Sequence, residues 1–254
     1  MGVSAEDIGA QNGNSLAMGT AQAPTQPIPG DESTEVARGP SAGAKYAAEA
    51  IGTFFLVFTV GAAVGTDRQF APFAIGAVLM VMVYAGGHIS GGHYNPAVTL
   101  SVLVRRRISL GDAVAYWIVQ FAAGLVATGV VNGIVYPAQA ATSVATPLTG
   151  HALLAVFVAE LLFTFALCYV VLNVATSKSH PDNSYFGLAI GFTVLAGALA
   201  VGAISGGAFN PSVTVGAALM GMFAWPTLWV YLVAQVIAGA AAGFAFLALN
   251  PDDK

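Results

Sequence analysis

The sequence predicts an all-α membrane protein, with six transmembrane helices and two re-entrant half-helices related as an inverted repeat. Three observations predict it. Of 254 residues, 57% are hydrophobic and only 8% are charged, against about 25% charged in an average soluble domain. Six apolar runs reach or approach the roughly 20 residues that a spanning helix needs. One ten-residue stretch occurs twice, as SGGHYNPAVT at 90–99 and SGGAFNPSVT at 205–214, differing only at His93/Ala208, Tyr94/Phe209 and Ala97/Ser212.

Taken in order, residues 1–44 are rich in Gly, Ala, Pro, Gln, Ser and Thr with scattered acids. They lack the basic start and apolar core of a secretory signal. Such a composition buries too little apolar surface to order itself, so the segment reads as a disordered tail outside the core function. The first span covers 46–66 and is broken by Asp67, Arg68 and Pro72. The second covers 73–88 and stops at the glycines of the first repeat. The third covers 112–136, after the basic cluster Arg105-Arg106-Arg107, and a polar loop follows at 137–149. The fourth covers 152–176 and the fifth 185–204, separated by a turn at 177–184. The sixth covers 227–249, leaving a short end at 250–254.

Each copy of the repeated stretch carries one physical device. Gly91-Gly92 and Gly206-Gly207 free the backbone, and extended chain with sideways carbonyls is expected there. Asn95 and Asn210 are good helix N-caps. Pro96 and Pro211 fit the first helical position, where a missing N–H costs nothing. Each stretch therefore reads as a loop entering a short helix, whose positive dipole end lies at the asparagine.

The halves match beyond this stretch. Glu49 precedes Thr53-Phe54 in the first span as Glu160 precedes Thr164-Phe165 in the fourth. Gln120 and Gln235 each lie 25 positions after their asparagine. The repeats run over about 46–136 and 152–249. Three spans per repeat is an odd number, so the second half enters the membrane upside down, and interrupted segments of inverted repeats meet at a functional site near the midplane. Arg38, Lys45, Arg105, Arg106, Arg107, Lys178 and Lys254 fall on one side of this topology, and Arg68 alone falls on the other. The positive-inside rule places both termini in the cytoplasm.

Glu49 and Glu160 are costly in lipid and should face the protein interior. The expected role is to accept bonds from backbone N–H groups of the adjacent loop; proton coupling is the competing reading. Gln120 and Gln235 are expected to bond between helices. His88 and His93 lack companions for a metal site, and Cys168 reads as a small buried hydrophobe. No metal or cofactor is expected. No nucleophile, base and orienting group stand together, so an enzyme is not expected. A net charge of −4 offers nothing to nucleic acid. Two half-helices entering from opposite faces bring Asn95 and Asn210 tip to tip. The carbonyls of Gly91, Gly92, His93, Tyr94, Gly206, Gly207, Ala208 and Phe209 then form a ladder of acceptors. Such a path satisfies a neutral hydrogen-bonding solute and opposes cations.

These residues resemble the aquaporin and glycerol-facilitator family of membrane channels. The resemblance spans about 45–249 and rests on Asn95-Pro96-Ala97, on Ser90-Gly91-Gly92-His93, on Ala48-Glu49 and on Gln120. It implies an aquaporin-like channel domain over 45–249, a homotetramer with one pore per protomer, and the cell membrane as location. It also exposes departures. The second signature reads Asn210-Pro211-Ser212. Val213 stands where the family normally has a filter arginine. Counted from the two asparagines, the other filter positions fall on Ile75, Ala198 and Gly207, small or aliphatic like Val213. This implies a widened, uncharged filter that passes neutral solutes larger than water, such as polyols, urea-like amides or metalloid hydroxides. An alternative is that Phe209, Tyr94 or Arg68 fills the vacant space. Other readings are a gated or ion-conducting channel, and a transporter coupled to protons through Glu49 and Glu160.

Overall fold

A computed structural model describes residues 39–137 and 145–253. Most of the segment read as a tail, part of the polar loop, and Lys254 lie outside the described residues.

The described chain forms α1 (Ala42–Thr66), α2 (Ala71–Ser90), α3 (Pro96–Val104), α4 (Leu110–Val130), α5 (His151–Thr176), α6 (Phe186–Ser205), α7 (Pro211–Leu219) and α8 (Leu228–Leu249). A wide turn at Val131–Val135 prolongs α4, and a tight turn at Trp225–Thr227 leads into α8. Among the described residues, six helices are long and apolar enough to cross a membrane. The other two, α3 and α7, have nine residues each. At 1.5 Å per residue each is about 14 Å long, so two placed end to end cover about one bilayer core.

Caps set several boundaries. Ser41 accepts from Ala44 N–H at 3.2 Å, so α1 begins inside the segment read as tail. Ser109 accepts from Asp112 N–H at 3.0 Å and starts α4 before Asp112. Pro72 does not break a span; it sits in the first turn of α2, where proline is tolerated.

The repeat is visible in the packing. α1 packs on α2 and α4 as α5 packs on α6 and α8. Each half-helix also packs on the last span of the opposite repeat, α3 on α8 and α7 on α4. α2 and α6 meet at Gly76 and Gly191. A Cβ on Gly76 would lie 2.9 Å from the Gly191 carbonyl oxygen, and the reverse approach is closer still. Only hydrogen at both positions permits this crossing. Cys168 is fully buried, as expected.

Asp253 ties one face of the bundle together. Its carboxylate lies 2.8 Å from Arg105 and 3.1 Å from Arg107, and accepts from Lys178 N–H at 2.8 Å. The Arg105 guanidinium is buried over the Phe246 ring at 4.0 Å and bonds Thr176. Loss of water pulls the Asp253 carboxyl up, but the Lys178 N–H and then Arg105 outweigh this and hold it below the usual carboxylate range. A carboxyl lowered in the fold adds stability above its unfolded value, about pH 3.9, and loses it as pH falls toward the folded value. Asp253→Asn should therefore lower the melting temperature in detergent at pH 7. The gap from wild type should narrow below about pH 4; an equal gap at every pH would rule out the charge as its source.

Candidate pore and its two asparagine caps

Asn95 and Asn210 cap α3 and α7 with nearly identical backbones, φ −156° and −157°. The Asn95 Oδ1 accepts from Ala97 N–H at 2.9 Å, and the Asn210 Oδ1 accepts from Ser212 N–H at 2.9 Å. Their amide nitrogens reach across to the opposite loop. Asn95 Nδ2 donates to the Phe209 carbonyl at 2.9 Å, and Asn210 Nδ2 donates to the Tyr94 carbonyl at 2.9 Å. A carboxamide nitrogen carries two protons, so one on each asparagine is left over. Both residues line one cavity of about 860 Å³.

The loops before the caps differ from the expectation in one respect. Gly91 and Gly206 are not extended; their φ values are +90° and +85°. Each ends its helix in the left-handed region that glycine enters without strain, donating to the carbonyl four residues back at 2.9 Å. Gly92 and Gly207 follow at +63° and +68°. Of the expected carbonyl ladder, Gly92, His93, Gly206, Gly207 and Ala208 line the cavity, whereas Gly91, Tyr94 and Phe209 do not. The Tyr94 and Phe209 carbonyls are the two taken by the asparagines.

Glu49 holds the first loop from behind. Its Oε1 accepts from Ser90 Oγ at 2.7 Å and His93 N–H at 2.9 Å. Its Oε2 accepts from Tyr94 N–H at 2.7 Å and Gln120 Nε2 at 2.9 Å. Glu160 repeats the set with Ser205 Oγ, Ala208 N–H, Phe209 N–H and Gln235 Nε2. Both acids are fully buried, and neither lines the cavity. Burying a carboxylate costs several kcal/mol, which only good geometry and full pairing offset. Gln120 and Gln235 also reach Thr99 and Thr214 on the half-helices, bonding between helices as expected.

Sequence reasoning missed Tyr116 and Tyr231, whose hydroxyls donate to the Ser90 and Ser205 carbonyls at 2.7 and 2.9 Å. They sit at matching places in the two repeats, so extending the repeat comparison through the third span finds them. Phe223 was missed too. It lines the cavity and stacks on Tyr231 at 4.6 Å.

Ile75, Ala198, Gly207 and Val213 all line the same cavity. Gly207 and Ala198 are in direct contact, since a Cβ on Gly207 would lie 3.3 Å from that of Ala198. The aromatic side chains named as possible plugs turn elsewhere. Tyr94 is buried, with its hydroxyl on the Met82 carbonyl at 3.0 Å. Phe209 is buried against Phe163 at 5.5 Å. Arg68 does reach the cavity wall. His88 is exposed, while His93 is buried against Tyr116 and bonds Thr99 at 3.0 Å. Among the described residues no three His, Cys, Asp or Glu side chains group together.

A family model described as major intrinsic protein matches residues 36–246. The chain belongs to the major intrinsic protein family. It is therefore an integral membrane channel of the aquaporin and glycerol-facilitator type, not an enzyme. This major intrinsic protein is 36% identical over 218 residues to glycerol uptake facilitator protein-like 6 of Lactiplantibacillus plantarum, covering 82% of this chain and 99% of that one. It is 34% identical to nodulin-26 of Glycine max, covering 83% of this chain and 79% of the relative. In fold it is similar to the aquaglyceroporin of Plasmodium falciparum, with TM-score 0.68, 22% identity, and coverage of 81% and 96% of the two chains.

Proposed function

We propose that this chain is a passive pore for uncharged solutes larger than water, with polyols and urea-like amides as the substrate class. The observation that carries the reading is the wall at the four filter positions. Ile75, Ala198, Gly207 and Val213 add no charge and little bulk, and neither Tyr94 nor Phe209 occupies the space they leave. Below them the spare amide protons of Asn95 and Asn210 face solutes as donors, and loop carbonyls such as that of Ala208 supply acceptors. Leu56, Val60, Leu167 and Val171 form an apolar wall to the same cavity. A polyol suits this amphipathic cross-section, with hydroxyls on one side and carbons on the other. The positive ends of α3 and α7 oppose cations at the asparagine pair. Glu49 and Glu160, each held by four donors behind the loops, support positioning over proton coupling. Both termini in the cytoplasm, a homotetramer and the plasma membrane complete the reading. It draws on the cation asymmetry and on apolar surface exposed on the spans, at Ile51, Leu125, Leu162 and Phe244 for example.

Stopped-flow light scattering on proteoliposomes tests it, with water, glycerol, urea and arsenous acid as osmolytes. Glycerol or urea should enter several times faster than into protein-free vesicles, at a rate indifferent to an imposed pH gradient. Water flux with every larger solute excluded would reject the wide-filter reading.

A further inference from the structure

Among the described residues the cavity wall carries one permanent charge, and it comes from a place that the filter positions do not predict. Of the residues lining the cavity, Arg68 is the one lysine, arginine, aspartate or glutamate among the described residues; residues 138–144 contain no such side chain. Arg68 belongs to the short loop between α1 and α2 and is exposed. Among the described residues it enters no ion pair. The neighbouring Asp67 is absent from the cavity wall. Its Oδ1 is turned to the start of α2, accepting from Gln69 N–H at 2.8 Å and Phe70 N–H at 3.4 Å.

We propose that Arg68 is a selectivity-determining residue, a first-loop guanidinium that supplies at the pore mouth the cation barrier absent from Val213. The proposal rests on the channel reading above. An entering cation meets Arg68 before it reaches the asparagine pair, and a charge at the mouth of a low-dielectric cleft biases what enters it. Two unit charges about 4 Å apart in water interact strongly enough for roughly a fivefold change in occupancy. Because the guanidinium is exposed, salt screens it, with a Debye length of about 30 Å at 0.01 M and about 3 Å at 1 M. A neutral solute feels no such term.

The full-length protein in planar bilayers and proteoliposomes provides the test. Reversal potentials in KCl gradients would be compared for wild type, Arg68→Gln, Arg68→Lys and the opposite-face control Arg106→Gln, with glycerol flux measured on the same preparations. Arg68→Gln should raise potassium permeability relative to chloride about fivefold in 0.01 M salt, an effect that fades toward 1 M. Glycerol flux should stay within about twofold of wild type. Arg68→Lys and Arg106→Gln should match wild type. Unchanged ion permeability in Arg68→Gln beside intact glycerol flux overturns the proposal, as does a change indifferent to salt. Failure of wild type to pass glycerol instead overturns the underlying channel reading.

Discussion

Glu49→Leu is expected to cost about 3–5 kcal/mol of stability, because it strands buried donors rather than deleting one contact. The His93 and Tyr94 N–H groups both end on Glu49, at 2.9 and 2.7 Å. Both residues are buried, and an unmet buried donor costs about 1–3 kcal/mol. Two other donors are less exposed to loss. Ser90 Oγ is 3.5 Å from the Gly86 carbonyl, and Gln120 keeps Thr99. The expected drop in melting temperature, followed by size-exclusion fluorescence in detergent, is about 10 °C. Glu160→Leu should behave alike, since Ala208 and Phe209 depend on Glu160 in the same way. Glu49→Gln should fall between, keeping acceptors on one oxygen and setting an N–H against a donor at the other. A leucine variant that melts within two or three degrees of wild type would remove the loop-support role.

Val213→Arg is expected to cut glycerol flux at least about tenfold, equivalent to about 1.4 kcal/mol of added barrier. Val213 stands in the first turn of α7 on the cavity wall, with Gly207 and Ala198 lining the same space. The extra length of arginine fills room that glycine and alanine leave open. Gly206, Gly207 and Ala208 stand on the same wall, and their carbonyls are the expected acceptors for its five donors, so the charge need not be stranded. Water flux should fall less than glycerol flux, because water needs a smaller gap. Relative rates from stopped-flow swelling decide the matter, and an unchanged glycerol-to-water ratio would show that position 213 does not govern passage. Together with the Arg68 variants, this substitution separates a charge at the mouth from a charge within the filter.

Much of the architecture is legible in the chain because lipid restricts the choices. A backbone in hydrocarbon must bond to itself, so six apolar runs become six spans, within a few residues of the expected bounds. The asparagine caps are legible for a local reason. Asn95-Pro96 and Asn210-Pro211 contain both the cap acceptor and the residue preset for the first turn. The glycine geometry was misjudged because Gly91 and Gly206 serve the helix that ends before them rather than the loop after them. A glycine suits a helix end and a free loop alike, so its presence does not choose between them. The roles of Tyr116 and Tyr231 are not legible from any local pattern, because each hydroxyl acts on a loop 26 residues away; only their matching places in the two repeats mark them.

The sequence by itself determined the class of molecule, the two broken segments and the residues at their tips, since each follows from apolar length, repetition and local backbone preference. Tertiary structure alone decided what those tips touch. Each asparagine gives one amide proton to the opposing loop, Tyr94 and Phe209 turn out of the cavity, and a loop arginine reaches its wall. Those outcomes depend on which surfaces two inverted halves bring together across more than a hundred residues, and pairing at that distance is settled by packing rather than by neighbours in the chain.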